Sequence, residues 1–321
     1  MSSSASAPQN LWSARLNIVT GKGGTGKTTV AAALALALAA GGRRTLLIEV
    51  EGRQGIAQLF ETAPLPYAEL RIATTPDGGE VRALAVDPEE ALLEYLDMFY
   101  RLGMAGRALK RVGAIDFATT IAPGLRDVLL TGKVKEATTR TQDGRRVYDA
   151  VVLDAPPTGR IGRFLNVTAE TARLAKVGPI KTQSEGVAAV LRSPMTAVHV
   201  VTLLEEMPVQ ETTDAINELN RLEIPVGAVI VNAARPPLLL GGAPTQAELK
   251  RGLTAAGLPA DRATVTGLSA EARSYLIRQE VEAALRDDLS ALGRPVLELP
   301  LLPGGVDRGG LDILAGRLRA S

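Results

Sequence analysis

The sequence predicts an α/β fold, a doubly wound and mostly parallel sheet with an inserted helical subdomain. Three observations predict it. Short apolar, β-branched runs alternate with helix-forming segments along most of the chain; one glycine-rich loop joins the first such run to an alanine–leucine helix; and residues 88–140 lose all strand signal.

Taken in order, residues 1–12 read as a flexible tail, without the basic and apolar regions of a signal peptide. Residues 13–321 read as one domain. Leu16–Thr20 is a short strand, Gly21–Thr29 the glycine loop, and Val30–Ala40 a helix closed by Gly41 and Gly42. Thr45–Glu51 is a second strand ending in acids. Leu70–Thr74 and Val81–Val86 are two more, separated by a turn at Pro76–Gly79. From 88 to about 140 only helical periodicity remains, with Leu92, Leu96, Phe99 and Gly103 on one face and a break at Pro123-Gly124. Val147–Asp154 returns as a continuous apolar run, the mark of a parallel strand covered on both faces. Thr196–Leu204, Val226–Val231 and Pro295–Leu299 are the remaining strands. Helices fall at Gln210–Arg221 and around Ala270–Ala291, and a Pro/Gly-rich loop at Pro236–Ala243. Leu311–Leu318 reads as a packed end helix; a membrane-anchoring helix would need more basic charge than Arg317 and Arg319 supply.

Composition narrows the function classes. A net charge of +1 gives no electrostatic case for nucleic acid or an anionic membrane, and 3% aromatic residues leave little for base stacking. The absence of cysteine removes disulfides and thiolate metal sites, zinc among them, and fits a cytoplasmic location. The apolar run Val30–Ala40 is far shorter than the roughly 20 residues of a membrane span.

Gly21-Lys22-Gly23-Gly24-Thr25-Gly26-Lys27-Thr28-Thr29 meets the P-loop pattern, Gly-x4-Gly-Lys-Ser/Thr, with strand before and helix after. Glycines turn successive N–H groups toward one anion, and the helix start adds partial positive charge. Lys27 would reach the β- and γ-phosphates of ATP, and the Thr28 hydroxyl would enter a Mg²⁺ shell. Asp154, followed by Ala155-Pro156-Pro157-Thr158-Gly159, ends its strand where such an enzyme needs a carboxylate for Mg²⁺ or water.

Lys22, directly after the first glycine, and Asp154–Arg160 together resemble the deviant-Walker ATPases, and within them the arsenite-pump and guided-entry (tail-anchored protein targeting) family. Ile161–Leu165, Leu204–Thr212, Val231-Asn232 and Leu299–Pro303 carry the same resemblance, which covers nearly the whole chain; Glu49–Phe60 resembles one member of the paired anion-transporting ATPases of actinobacteria. The resemblance implies a dimer in which Lys22 reaches phosphates bound by the other subunit, the partner being a second copy or a paralogous ATPase. It also implies a membrane-protein client. Asn232 would read the adenine edge or stabilise its own turn, and Pro300 and Leu301 would flank adenine.

Three departures stand out. Where the family has Asp-Pro-Ala-His, this chain has Glu51-Gly52-Arg53-Gln54; the extra methylene moves the carboxylate by about a bond length. Glu51 is therefore read as a slow water-orienter in catalysis, with a binding-only site as the alternative. No cysteine pair exists to clamp a dimer through zinc. No methionine-rich client segment is visible, and Leu92, Leu93, Met98, Phe99, Leu102, Met104, Leu129 and Leu130 are read as core. The leading expectation is a Mg-ATP-dependent dimeric ATPase whose nucleotide state gates the helical subdomain. The alternatives are a nucleotide-sensing subunit acting with a paralogue and, third, a partition- or division-type ATPase. His199, the single histidine, is read as a packed strand residue.

Overall fold

The computed structural model describes residues 11–100, 123–167, 169, 179–239 and 241–320. Its strands are β1 (Leu16–Gly21), β2 (Arg44–Glu49), β3 (Leu70–Thr74), β4 (Glu80–Ala85), β5 (Thr141–Gln142), β6 (Arg145–Arg146), β7 (Ala150–Asp154), β8 (Thr196–Thr202), β9 (Val226–Ala234) and β10 (Val296–Pro300). Its helices are α1 (Lys27–Ala39), α2 (Gly55–Leu59), α3 (Pro88–Tyr100), α4 (Pro123–Thr139), α5 (Thr158–Leu165), α6 (Pro179–Leu191), α7 (Glu206–Arg221), α8 (Gln246–Ala255), α9 (Arg262–Ala291) and α10 (Arg308–Arg319). Residues 1–10 of the expected tail lie outside the described residues. So do Leu102, Gly103 and Met104, and the side chains of Met98 and Phe99.

Eight strands form one sheet in the order β10-β9-β8-β1-β7-β2-β4-β3, parallel except for β3, which runs antiparallel to β4 at the edge. β1 sits between β7 and β8. The chain winds away from β1 in both directions, so β1 is the switch point at which α/β sheets bind ligands beyond the strand ends. β1, β7 and β8 are buried throughout, as the unbroken apolar runs require.

Helices cover both faces. On one, α1, α2 and α10 pack against Val19, Leu47, Val152 and Ile230. On the other, α3–α7 and the end of α9 cover Leu16, Ile18, Ile48 and Leu153. α1 is buried from Val30 to Ala39 because it lies between the sheet and α10. Alanines keep it thin enough for that double contact. The end helix is packed: Leu311, Leu314, Ala315 and Leu318 are buried, and Trp12 Nε1 donates to the Leu318 carbonyl at 2.7 Å. In the helical region, Leu92, Leu129 and Leu130 belong to the core, as expected. The small hairpin β5–β6 and helix α8 had no expectation in the sequence.

His199 is fully buried in β8. The Ala228 N–H donates to its Nδ1 at 3.1 Å, which leaves the proton on Nε2 to donate to Asn17 Oδ1 at 3.0 Å. Burial holds the ring neutral, with its pKa lowered to about 4. It is a strand residue with both nitrogens satisfied.

Candidate functional site

The glycine loop leaves the end of β1 and enters α1 at Lys27. Two of its glycines are required by contact. A side chain at Gly21 would start 2.2 Å from the Val201 carbonyl oxygen, and one at Gly26, which has φ +86°, would start 2.2 Å from Asn232 Nδ2. Thr25 is buried and donates from both its N–H (3.3 Å) and Oγ1 (2.9 Å) to the Lys22 carbonyl, closing the loop on itself. Gly23 and Gly24 stand exposed at the tip, while Lys27, Thr28 and Thr29 are half-buried in the first turn of α1.

Thr28 and Asp154 meet at the loop. The Thr28 hydroxyl donates to Asp154 Oδ2 at 2.7 Å. Asp154 Oδ1 is buried and has no hydrogen-bond partner among the described residues. Burial pushes the Asp154 carboxyl up to about 6; the Thr28 bond and the Lys27 charge pull it down, and Glu49 and Glu51 push it further up. A hydroxyl and an orphaned carboxylate oxygen beside the phosphate loop are hard oxygen donors. They fit Mg²⁺, which keeps most of its shell for water and phosphate rather than for a protein cage.

Within the single chain, Lys22 is held by an acid of α7. Its Nζ lies 2.7 Å from Glu211 Oε1 on α7 of the same chain, and Glu211 Oε2 accepts from Thr158 Oγ1 at 3.0 Å. The two ion-pair side chains are 31% and 33% exposed, so this contact is worth about 0–1 kcal/mol and is easily released. Glu211 and Thr158 were missed as site residues. Glu211 lay within a matched segment, but no pattern in the sequence pairs it with Lys22.

Glu51 lies 3.6 Å from Arg160 Nη1, in the segment that follows Asp154, and 3.9 Å from Arg53 Nε. The segment around it, residues 50–56, is braced by Glu49 and Gln54, which were not expected in the site. Glu49 accepts from the Gln54 and Ile56 N–H groups. The Gln54 side chain exchanges two hydrogen bonds with the Leu65 backbone, at 2.7 and 3.2 Å.

At the other side of the loop, Asn232 Nδ2 donates to the Thr25 carbonyl at 2.9 Å, so the strand-end amide braces the phosphate loop. Pro300 ends β10 beside Ala234, and the Leu301 N–H donates to the Ala234 carbonyl at 2.9 Å. These strand ends border two adjoining hollows of about 660 and 600 Å³, which share Ala234, Arg235, Arg278 and Glu282. Pro300 lines one and Asn232 the other, while the glycine loop lines neither.

The family model for the anion-transporting ATPases matches residues 14–191 and 170–237. The chain is 56% identical to the ATPase BagA of Mycobacterium tuberculosis over 98% of its own length and 96% of the relative's. It is 26% identical to the ATPase GET3 of Kluyveromyces lactis over 67% of its own length and 70% of the relative's.

Proposed function

The chain belongs to the anion-transporting ATPase family and is an ATP hydrolase, and from that premise we propose that it works as a magnesium-dependent dimer whose nucleotide state moves the helical layer of α3 and α4 against a protein or membrane-associated client. The observation that carries the hydrolytic part is the Thr28–Asp154 pair with its unpartnered buried oxygen, set beside Lys27. When bound, Mg²⁺ would neutralise charge between the terminal phosphates. The loop N–H groups and Lys27 hold those phosphates, Asn232 Oδ1 accepts from the adenine amine with Pro300 and Leu301 against the ring, and Glu51 orients water. Lys22 leaves Glu211 and reaches phosphates held by the second subunit, a copy or a paralogue. Among the described residues no helix is long and apolar enough to cross a membrane, so a membrane client would be met from outside the bilayer.

Single-turnover hydrolysis with light scattering tests this. Lys27→Ala and Lys22→Ala should each lower the rate about a hundredfold or more, and Mg-ATP should double the scattering mass of wild type but not of Lys22→Ala. Equal mass with and without nucleotide would remove the dimer. A second reading, a nucleotide-sensing subunit whose catalysis lies in a paralogous partner, is favoured by the contacts of Glu51 with Arg160 and Arg53, which engage the carboxylate that water would need. Tight ATP binding without turnover, restored by Glu51→Asp, would select it.

A further inference from the structure

Glu49 is the last residue of β2 and only 2% exposed. Its register partner on β7 is Asp154, so two carboxylates stand side by side at the buried ends of adjacent strands. That is an expensive arrangement, because like charges in a low-dielectric interior repel and each loses its hydration. Leu47 and Ile48 show what the strand otherwise carries: apolar side chains buried in the sheet. An apolar residue at 49 would avoid that repulsion.

What Glu49 holds explains its presence. Oε1 accepts from the Gln54 N–H at 2.5 Å and Oε2 from the Ile56 N–H at 3.3 Å. The carboxylate thus reaches across the loop of residues 50–56 and grips the backbone on its far side. Between the gripped groups lies Gly55, where a Cβ would come within 3.1 Å of Thr28 Cγ2, so the loop rests directly on the threonine of the phosphate site. Gln54 sits at φ +56°, a left-handed conformation that a residue other than glycine keeps only when its surroundings impose it. The Glu49 bond to its N–H is one such imposition. The two-way bond of its side chain to Leu65 is the other.

We propose that Glu49 is a positioning residue for hydrolysis, a buried tether that fixes the backbone of residues 50–56 against Thr28 and Asp154 and so sets where Glu51 points. The proposal rests on the reading of Glu51 as the water-orienting carboxylate. It assigns to Glu49 no contact with substrate. Loss of the tether frees the loop while the phosphate cradle of residues 21–29 stays intact, so ATP should still bind. A displacement of Glu51 by about 1 Å is enough to lower the rate up to a hundredfold.

The test compares Glu49→Ala, Glu49→Gln and Glu51→Gln in the full chain, reading ATP affinity, single-turnover rate and backbone hydrogen exchange by peptide. Glu49→Ala should slow turnover about ten- to a hundredfold with ATP affinity within about threefold, and speed exchange in residues 50–60 but not in residues 21–40. Glu49→Gln keeps one acceptor oxygen and the side-chain volume, so it should fall between wild type and alanine on both readouts. It also decides the matter alone if the alanine variant does not fold. A wild-type rate in Glu49→Ala, unchanged exchange over residues 50–60, or faster exchange spread over the whole sheet would overturn the tether. Glu51→Gln should lose turnover with no change in exchange; full turnover there overturns the Glu51 reading instead, whatever the exchange data say of Glu49.

Discussion

Asp154 and His199 are two buried titratable groups whose environments push in opposite directions, and their balance can be measured. Burial raises Asp154 from its ordinary 3.8 to about 6 and lowers His199 from its ordinary 6.5 to about 4. Between pH 6 and 4 the folded state holds the Asp154 proton more tightly than the unfolded chain does, so this group adds stability as pH falls. Over nearly the same window the unfolded chain takes up the His199 proton first, so that group removes stability as pH falls. Each effect is of the order of 3 kcal/mol by the usual conversion, and the two offset in the wild-type protein. Asp154→Asn removes one side of the balance. In nucleotide-free, magnesium-free buffer its urea-unfolding free energy should fall by a few kcal/mol from pH 6.5 to 4 relative to wild type. Parallel pH curves for the two proteins would mean that Asp154 ionises as an ordinary carboxylate.

At the scale of elements, α10 offers the sharpest contrast between faces. Leu314 is buried at 1% exposure while its neighbour Ile313 is 54% exposed. Leu314→Ala should destabilise by about 2–5 kcal/mol, and Ile313→Ala by about 0.5 kcal/mol or less; equal losses in chemical denaturation would contradict the packing of α10 on α1. The sequence announced this helix because its leucines recur at helical spacing, and it announced the parallel strands because both of their faces are buried. It hid α8 because that helix buries no side chain, so no periodicity exists to read. A local signal was nonetheless present: Thr245 and Glu248 form a reciprocal capping box. α5 was hidden differently. Its buried residues Ile161, Phe164 and Leu165 are periodic, but they follow Pro156-Pro157 and read as an extension of the loop. The same split holds in the site. Gly21–Thr29 and Asp154 are legible because backbone chemistry demands those residue types at those places. Glu49 and Glu211 are not, since each acts through contacts with residues five or more positions away, and a glutamate that ends a strand looks the same whether it faces water or grips a buried loop.

For the whole molecule, ligand linkage separates nucleotide binding from association. A ligand that binds only the folded state stabilises it by about 2.7 kcal/mol at a hundred times its Kd, which for a chain of 321 residues is a melting shift of several degrees. For a monomer that shift depends on ATP and magnesium alone. For two chains closing over sandwiched nucleotide it must also rise with protein concentration, because the associated state is favoured by mass action. The parked Lys22 makes the distinction testable in one residue: its contact with Glu211 lies within one chain and is weak, so losing it should scarcely move the melting temperature of the nucleotide-free protein. With Mg-ATP, raising the protein concentration tenfold should raise the melting temperature of wild type and leave that of Lys22→Ala unchanged, while both keep the shift caused by nucleotide itself. Lys27→Ala should lose most of that nucleotide shift, since it would remove the phosphate contact proposed for it inside its own subunit. If the wild-type shift proves independent of protein concentration, Lys22 serves its own chain, and the bond to Glu211 is then part of the working arrangement rather than a resting one.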